Sequence, residues 1–296
     1  MAAVDEQRRD DTDRNEPERV NRFLIGIARG VAGALLFSIP MLMTMEMWFL
    51  GFYMERERLF LLLALNFPLL IGLSHRIGFE RTATWRESAR DAIVAYGMGV
   101  AASALILVLL GVITTDMAPR EWVGMVALQA VPASIGALLG RSQLSMRDED
   151  DVEDIEEEDQ TGDALETSYA TELFMMAVGA LFLSLNLAPT EEMILLAHKM
   201  TAWHALALLS LSIFLMHGFV YALAFRGGHS LQEGTPGWHA FIRFTLPGYV
   251  VALAVSLYAL WTFGRLDDLG SAQAILAVVV LSFPAAIGAA AARLIL

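Results

Sequence analysis

The sequence has no cysteine. Disulfides, thiolate metal sites and thiol nucleophiles are therefore excluded, while the redox compartment stays undetermined. Lysine is nearly absent: Lys199 stands alone against 19 arginines, a usage that reads as a GC-rich bacterial genome. Charge is scarce too. Only 18% of residues are charged, 56% are hydrophobic and the mean hydropathy is +0.53, whereas soluble domains carry about 45–50% apolar residues. No Walker A loop, dinucleotide fingerprint, catalytic triad, haem-attachment or zinc-protease motif is present. No cofactor and no enzymatic role are expected. The first 22 residues are polar, and no short apolar region with a small-residue cleavage site follows them, so a cleaved signal peptide is not expected.

What is there in quantity is long apolar runs. A stretch of roughly 18 or more apolar residues reads as a transmembrane helix, and eight candidates can be placed, at 23–53, 59–73, 92–113, 122–140, 169–188, 201–225, 241–263 and 272–296. The first is longer than a bilayer needs, which implies tilt or extension beyond the lipid. Residues 190–200 read as a joint or a short interfacial helix. The expected fold is all-α, a polytopic transmembrane helix bundle.

The net charge of −13 is mostly local. Residues 141–168 hold 12 acids and 2 arginines, −10 of that total. Such dense like charge buries too little surface to fold, so 141–168 is read as an acidic disordered linker. It argues against nucleic acid and against adhesion to anionic lipid. Ten acids between Asp148 and Asp159 can attract divalent cations but lack the glycine and spacing of an EF-hand, which favours a solvated spacer. With a cytoplasmic N-terminus, basic residues divide 15 inside to 5 outside. The positive-inside rule then places both termini and the linker in the cytoplasm.

The flanks of the linker repeat each other. A shift of 146 pairs Gly33-Ala34-Leu35 with Gly179-Ala180-Leu181, Ser38 with Ser184, Glu46 with Glu192 and Gly72 with Gly218. A shift of 153 pairs Trp85 with Trp238, Arg90 with Arg243, Tyr96 with Tyr249, Ser103 with Ser256 and Gly111 with Gly264. A shift of 152 pairs Asp116 with Asp268 and Pro132-Ala133 with Pro284-Ala285. With only six tryptophans in the chain, a Trp match inside a polar joint is informative. The expected layout is a polar tail (1–22), a first four-span repeat (23–140), the linker (141–168) and a second repeat (169–296). An even number of spans per repeat makes them parallel, about an axis along the membrane normal.

Several residues invite a functional and a structural reading together. Glu46 and Glu192 sit near the outer ends of matched spans. Symmetric carboxylates there form a cation-attracting mouth or a proton-accepting pair. Equally, Leu24 to Glu46 covers about 33 Å of helix, which puts them at the membrane boundary as ordinary interfacial acids. Pro132 and Pro284 lie mid-span. Each removes the hydrogen bond to the carbonyl four residues earlier, at Leu128 and Val280, either exposing oxygens to a cation or only kinking the helix. Asn66 and Gln129, and His217 within the sixth span, are pathway candidates or partners in interhelical hydrogen bonds. His198 and His204 near Glu191 and Glu192 have no diagnostic metal spacing, so no metal site is expected. Trp85, Trp238, Arg90 and Arg243 fit an aromatic belt with snorkelling arginines.

The stretch Gly33-Ala34-Leu35-Leu36-Phe37-Ser38-Ile39-Pro40, followed by Met41-Leu42-Met43-Thr44-Met45-Glu46-Met47-Trp48, resembles an uncharacterised bacterial family of integral membrane proteins, over most of the chain. The resemblance implies a bacterial inner membrane and a small partner protein, and supplies no activity and no site residues. The functional expectation is a channel or secondary transporter, with a cation or proton favoured as passenger because the mouth residues are carboxylates. The rival readings are a non-transporting scaffold that binds a partner protein and, last, an intramembrane enzyme acting on lipid. The bilayer is the one certain partner, and the oligomeric state is not legible.

Overall fold

The computed structural model describes residues 24–77, 84–149, 169–224 and 241–292. The polar tail, the linker beyond Glu149 and the loop 226–238 with Trp238 lie outside the described residues. Among those described there is no strand. The helices are α1 (Leu24–Leu42), α2 (Met45–Tyr53), α3 (Arg56–Ile77), α4 (Trp85–Leu109), α5 (Pro119–Glu149), α6 (Tyr169–Leu187), α7 (Glu191–Lys199), α8 (Ala202–Ala224), a π-helical turn (Phe241–Thr245) running into α9 (Leu246–Thr262), and α10 (Ser271–Ala292). Eight of these elements are long and apolar enough to cross a membrane, with the π turn and α9 counted together.

Three boundaries differ from the hydropathy reading. The first apolar run is broken: Met43–Thr44 leaves the helix, with Thr44 extended (φ −97°, ψ 126°), and a separate nine-residue helix, α2, follows. Helix α4 starts at Trp85 rather than 92, because its first turns are the polar Trp85-Arg86-Glu87-Ser88 behind an extended Thr84. Helix α5 runs on through Arg141 to Glu149, into the acidic segment expected to be disordered.

Two matched helix ends share one device. At the end of α4, Gly111 has φ 71°, its N–H bonds to Val108 O and the Val112 N–H bonds to Leu107 O. At the end of α9, Gly264 has φ 70°, its N–H bonds to Trp261 O and the Arg265 N–H bonds to Leu260 O. Both are Schellman motifs, which need a left-handed residue after the helix. A Cβ at Gly111 would touch nothing, so Gly111→Ala isolates the backbone penalty, about 1–2 kcal/mol. Thermal unfolding should register that loss, and Gly111→Asn should restore part of it, since asparagine tolerates this region better.

The described residues divide into two compact units. The first contains α1, α3 from Asn66, α4, and α5 from Gln129. The second contains α2, α3 as far as Leu65, α5 as far as Leu128, and α6 to α10. This division does not follow the two halves of the sequence. In the first unit, α1 and α5 meet backbone to backbone: a Cβ on Gly33 would strike Gly136 O and lie 2.6 Å from Gly140 Cα. Gly99 of α4 lies against α5 at Ala130 and Ser134. In the second unit, α6 and α10 meet in the same way at Gly179 and Gly288, and α2 meets α5 at Gly51 and Gly124. Small residues let helices approach closely where lipid supplies no hydrophobic drive. Over its most apolar stretch α5 is 89% buried, against 17–56% for the other spans, so α5 is not a lipid-facing helix.

Pro247 accounts for the irregular entry to α9. It has no N–H to give to Arg243 O, and the Tyr169 hydroxyl donates to that carbonyl instead, at 2.9 Å.

Candidate functional site

The chemistry gathers in the second unit, at the end carrying α7 and the α9–α10 joint. Thr190 stands in extended conformation before α7, whose first turn holds Glu191 and Glu192 and whose last turn holds His198 and Lys199. This order suits the helix dipole. The Schellman turn at Gly264 then throws Arg265 back toward α7. A cavity of about 610 Å³ lies between them, lined by Glu191, Glu192, His198, Arg265 and Asp268 together with the apolar Ile194 and Leu195. Its size falls within the range of small-molecule sites.

Arg265 is the centre of this arrangement. Its Nη2 donates to Pro189 O, while its buried Nε has no hydrogen-bond partner among the described residues. Burial lowers its pKa from the ordinary value, and the charges of Glu191, Glu46 and Glu192 oppose that shift. A guanidinium stays protonated throughout, so Arg265 is a fixed positive charge within electrostatic reach of three carboxylates. Glu46 and Glu192, paired in the sequence, both act on the charge of Arg265, and of the two only Glu192 lines the cavity. His198 Nδ1 donates to Ile194 O at 2.9 Å, which fixes the tautomer and leaves Nε2 as the acceptor nitrogen. His204 Nδ1 accepts from the Thr201 N–H at the start of α8. Among the described residues, no three of His, Cys, Asp and Glu gather as a metal site.

A second polar arrangement in the same unit was not expected. Arg58, at the start of α3, donates through Nη1 to Trp261 O (2.7 Å) and through Nη2 to Asp267 Oδ1 (2.9 Å). Its Nε faces Glu55 at 2.9 Å. The α9–α10 joint is thereby held by two arginines. Arg265 and Arg58 read in the sequence only as two of the few outer basic residues. The one local signal was the Gly-Arg pair closing an apolar run.

The remaining candidates divide between the units. His217 is satisfied by Thr245: Nδ1 to Oγ1 is 3.0 Å, with the ring edge-on to Phe241. Pro284 lies within α10, whose Ser282 hydroxyl meets that of Tyr249 at 3.0 Å. Asn66, Gln129 and Pro132 belong to the first unit. Asn66 Nδ2 donates to Ser134 Oγ (3.1 Å) and Gln129 Nε2 to Met41 O (3.1 Å). The amide oxygens of both are buried and accept no hydrogen bond among the described residues.

Spans of this length, number and apolarity, joined by short polar ends, define a multi-pass integral membrane protein. The chain belongs to the family described as "Putative integral membrane protein (DUF2391)", whose profile matches residues 26–296. Neither a curated protein nor a solved structure matches it.

Proposed function

We propose that the protein is a channel or secondary transporter of the bacterial inner membrane, not an enzyme, and that it passes a small cation or proton. The observation that carries this reading is the charge balance at the α7 end. Glu46, Glu191 and Glu192 lie within electrostatic reach of Arg265, and Asp268 lines the same cavity as Arg265. Four carboxylates against one guanidinium leave a net negative vestibule, which concentrates cations at the end of the spans. Arg265, anchored on Pro189 O, offsets one of these charges. With both termini cytoplasmic, as the arginine bias favours, this vestibule opens to the outside.

The same reading takes the chain as two parallel four-span repeats. Several matched details support it. Helices α2 and α7 are each nine residues, flanked by Thr44 and Met54 in one case and by Thr190 and Met200 in the other. Gly111 and Gly264 share one conformation, and the contact of Gly33 with Gly136 has its counterpart in Gly179 with Gly288. A partner-binding scaffold is the second reading, favoured by those backbone-to-backbone contacts, which leave little room between the helices concerned.

Flux of protons, potassium and sodium into proteoliposomes tests the proposal. The wild type should conduct at least one of them. A Glu46→Gln/Glu192→Gln double variant should lower the flux about tenfold at low ionic strength, with the difference shrinking as salt screens the vestibule. A folded wild type that passes none of the three ions would sink the reading.

A further inference from the structure

Gln129 lies ten residues into α5, close to the middle of the span Pro119–Gly140, and is completely buried. Its amide cannot be turned over. Nε2 donates to Met41 O, and a flip would set oxygen against oxygen. Oε1 is therefore a fixed acceptor, and it has no donor among the described residues. Asn66 repeats the pattern. As placed, the Ser134 hydroxyl gives its hydrogen to Val131 O (2.8 Å) and accepts from Asn66 Nδ2, and Asn66 Oδ1 has no donor among the described residues. The buried hydroxyl of Ser38 in α1 is likewise spent on Ala34 O. Among the partners of Gln129 and Asn66 no hydrogen is left for the two amide oxygens; of the other buried hydroxyls of the first unit, that of Ser103 has no partner among the described residues. Leaving one such oxygen bare costs about 1–3 kcal/mol, so a positive or proton-bearing group is what it lacks.

Two further features add negative potential. Met41 is the penultimate residue of α1, so Gln129 sits at the negative end of that helix. Pro132 has no N–H for the carbonyl of Leu128, the residue just before Gln129. Carbonyl oxygens at a broken or terminating helix are where membrane proteins hold monovalent ions. The described buried polar side chains of the first unit are serines, Asn66 and Gln129, with no carboxylate. Neutral oxygens suit a single charge. A divalent ion would call for carboxylates.

We infer that Gln129 Oε1 is a ligand for a dehydrated monovalent metal cation, sodium or potassium, at mid-depth in the first unit. Asn66 Oδ1 is a further neutral oxygen stationed along the same helix. The Ser134 that holds Asn66 is five residues on, about 7.5 Å of rise. The inference rests on the proposed cation passage and narrows its passenger, but it is tested by binding and not by flux.

The test is thermal unfolding of the purified full-length protein in detergent, followed by tryptophan fluorescence, in sodium, potassium or choline chloride at equal ionic strength. The wild type should melt about 2–4 °C higher in saturating sodium or potassium than in choline. Gln129→Met keeps the length and removes the oxygen, and should abolish that difference. Gln129→Glu covers the case in which the methionine variant fails to fold. It should keep the response and extend it to magnesium or calcium. Equal melting of the wild type in all three salts overturns the inference and leaves a buried water as the occupant. So does an ion-specific rise that survives in Gln129→Met, or a response in Gln129→Glu that does not extend to divalent ions. An ion-specific rise lost in Gln129→Met, in protein that shows no flux, would uphold the site while removing the transport reading.

Discussion

Gly33→Leu should cost the protein its folded state, or about 3 kcal/mol or more of its stability. Overpacking a core by a few methylenes costs about 1–3 kcal/mol when neighbouring side chains can give way. Here they cannot. The first atoms that a Cβ on Gly33 meets are backbone: Gly136 O, then Gly140 Cα at 2.6 Å and Gly140 N at 3.0 Å. Relief requires α1 and α5 to separate along their whole contact. That would also pull Met41 O away from Gln129 and strand a buried carbonyl and a buried amide together. Gly97 supplies the control. It lies in α4 with nothing within 4 Å of a Cβ, so Gly97→Ala should leave stability unchanged or raise it by about 0.5–1 kcal/mol. Monodispersity after extraction, followed by thermal unfolding, separates the two variants. A Gly33→Leu protein that melts like the wild type would mean that α1 and α5 do not touch in this way.

The spans were legible because hydropathy over twenty residues is a strong signal. Their interruptions were not. The run 23–53 stays apolar through Met43 and Thr44, so nothing in its composition marks the break, which lies in the extended backbone of Thr44. The polar first turn of α4 and the acidic end of α5 are helical although neither is apolar. A hydropathy reading sees where lipid is, not where helix ends. The carboxylates of the candidate site were visible because the repeat paired Glu46 with Glu192. Arg265 was not, since its role depends on the turn at Gly264 and on the carbonyl of Pro189. Asn66 and Gln129 were visible as polar residues in apolar spans. Which of their atoms would lack a partner depends on what Ser134 and Met41 present to them, and that is a tertiary fact.

Arg58 is the opposite extreme, with no local signal at all, since Asp267 is 209 positions away. Its removal should be the second large effect. Trp261 O, in the last turn of α9, accepts the Gly264 N–H at 3.0 Å and Arg58 Nη1 at 2.7 Å, so one guanidinium caps the helix end and pairs with the acid that follows it. The guanidinium also stands 5.1 Å from the centroid of the Trp261 ring. Its side chain is only 13% exposed, although Asp267 is 43% exposed. An exposed pair is worth about 0–1 kcal/mol and a charged hydrogen bond about 1.5–3, so Arg58→Ala should cost about 1–2 kcal/mol. Lysine should rescue little of it, because a point charge cannot serve Trp261 O and Asp267 together as the planar fork does. Asp267→Asn separates the contributions. In a double-mutant cycle the Arg58–Asp267 coupling should fall as salt is raised, while the part owed to Trp261 O should persist. The joint that Arg58 holds also carries Arg265. Arg58→Ala should therefore loosen the cavity beside α7, seen as faster labelling of a cysteine introduced at Leu269 in this cysteine-free chain. If stability falls while labelling is unchanged, Arg58 secures the fold alone and the vestibule is held by Arg265 and Pro189.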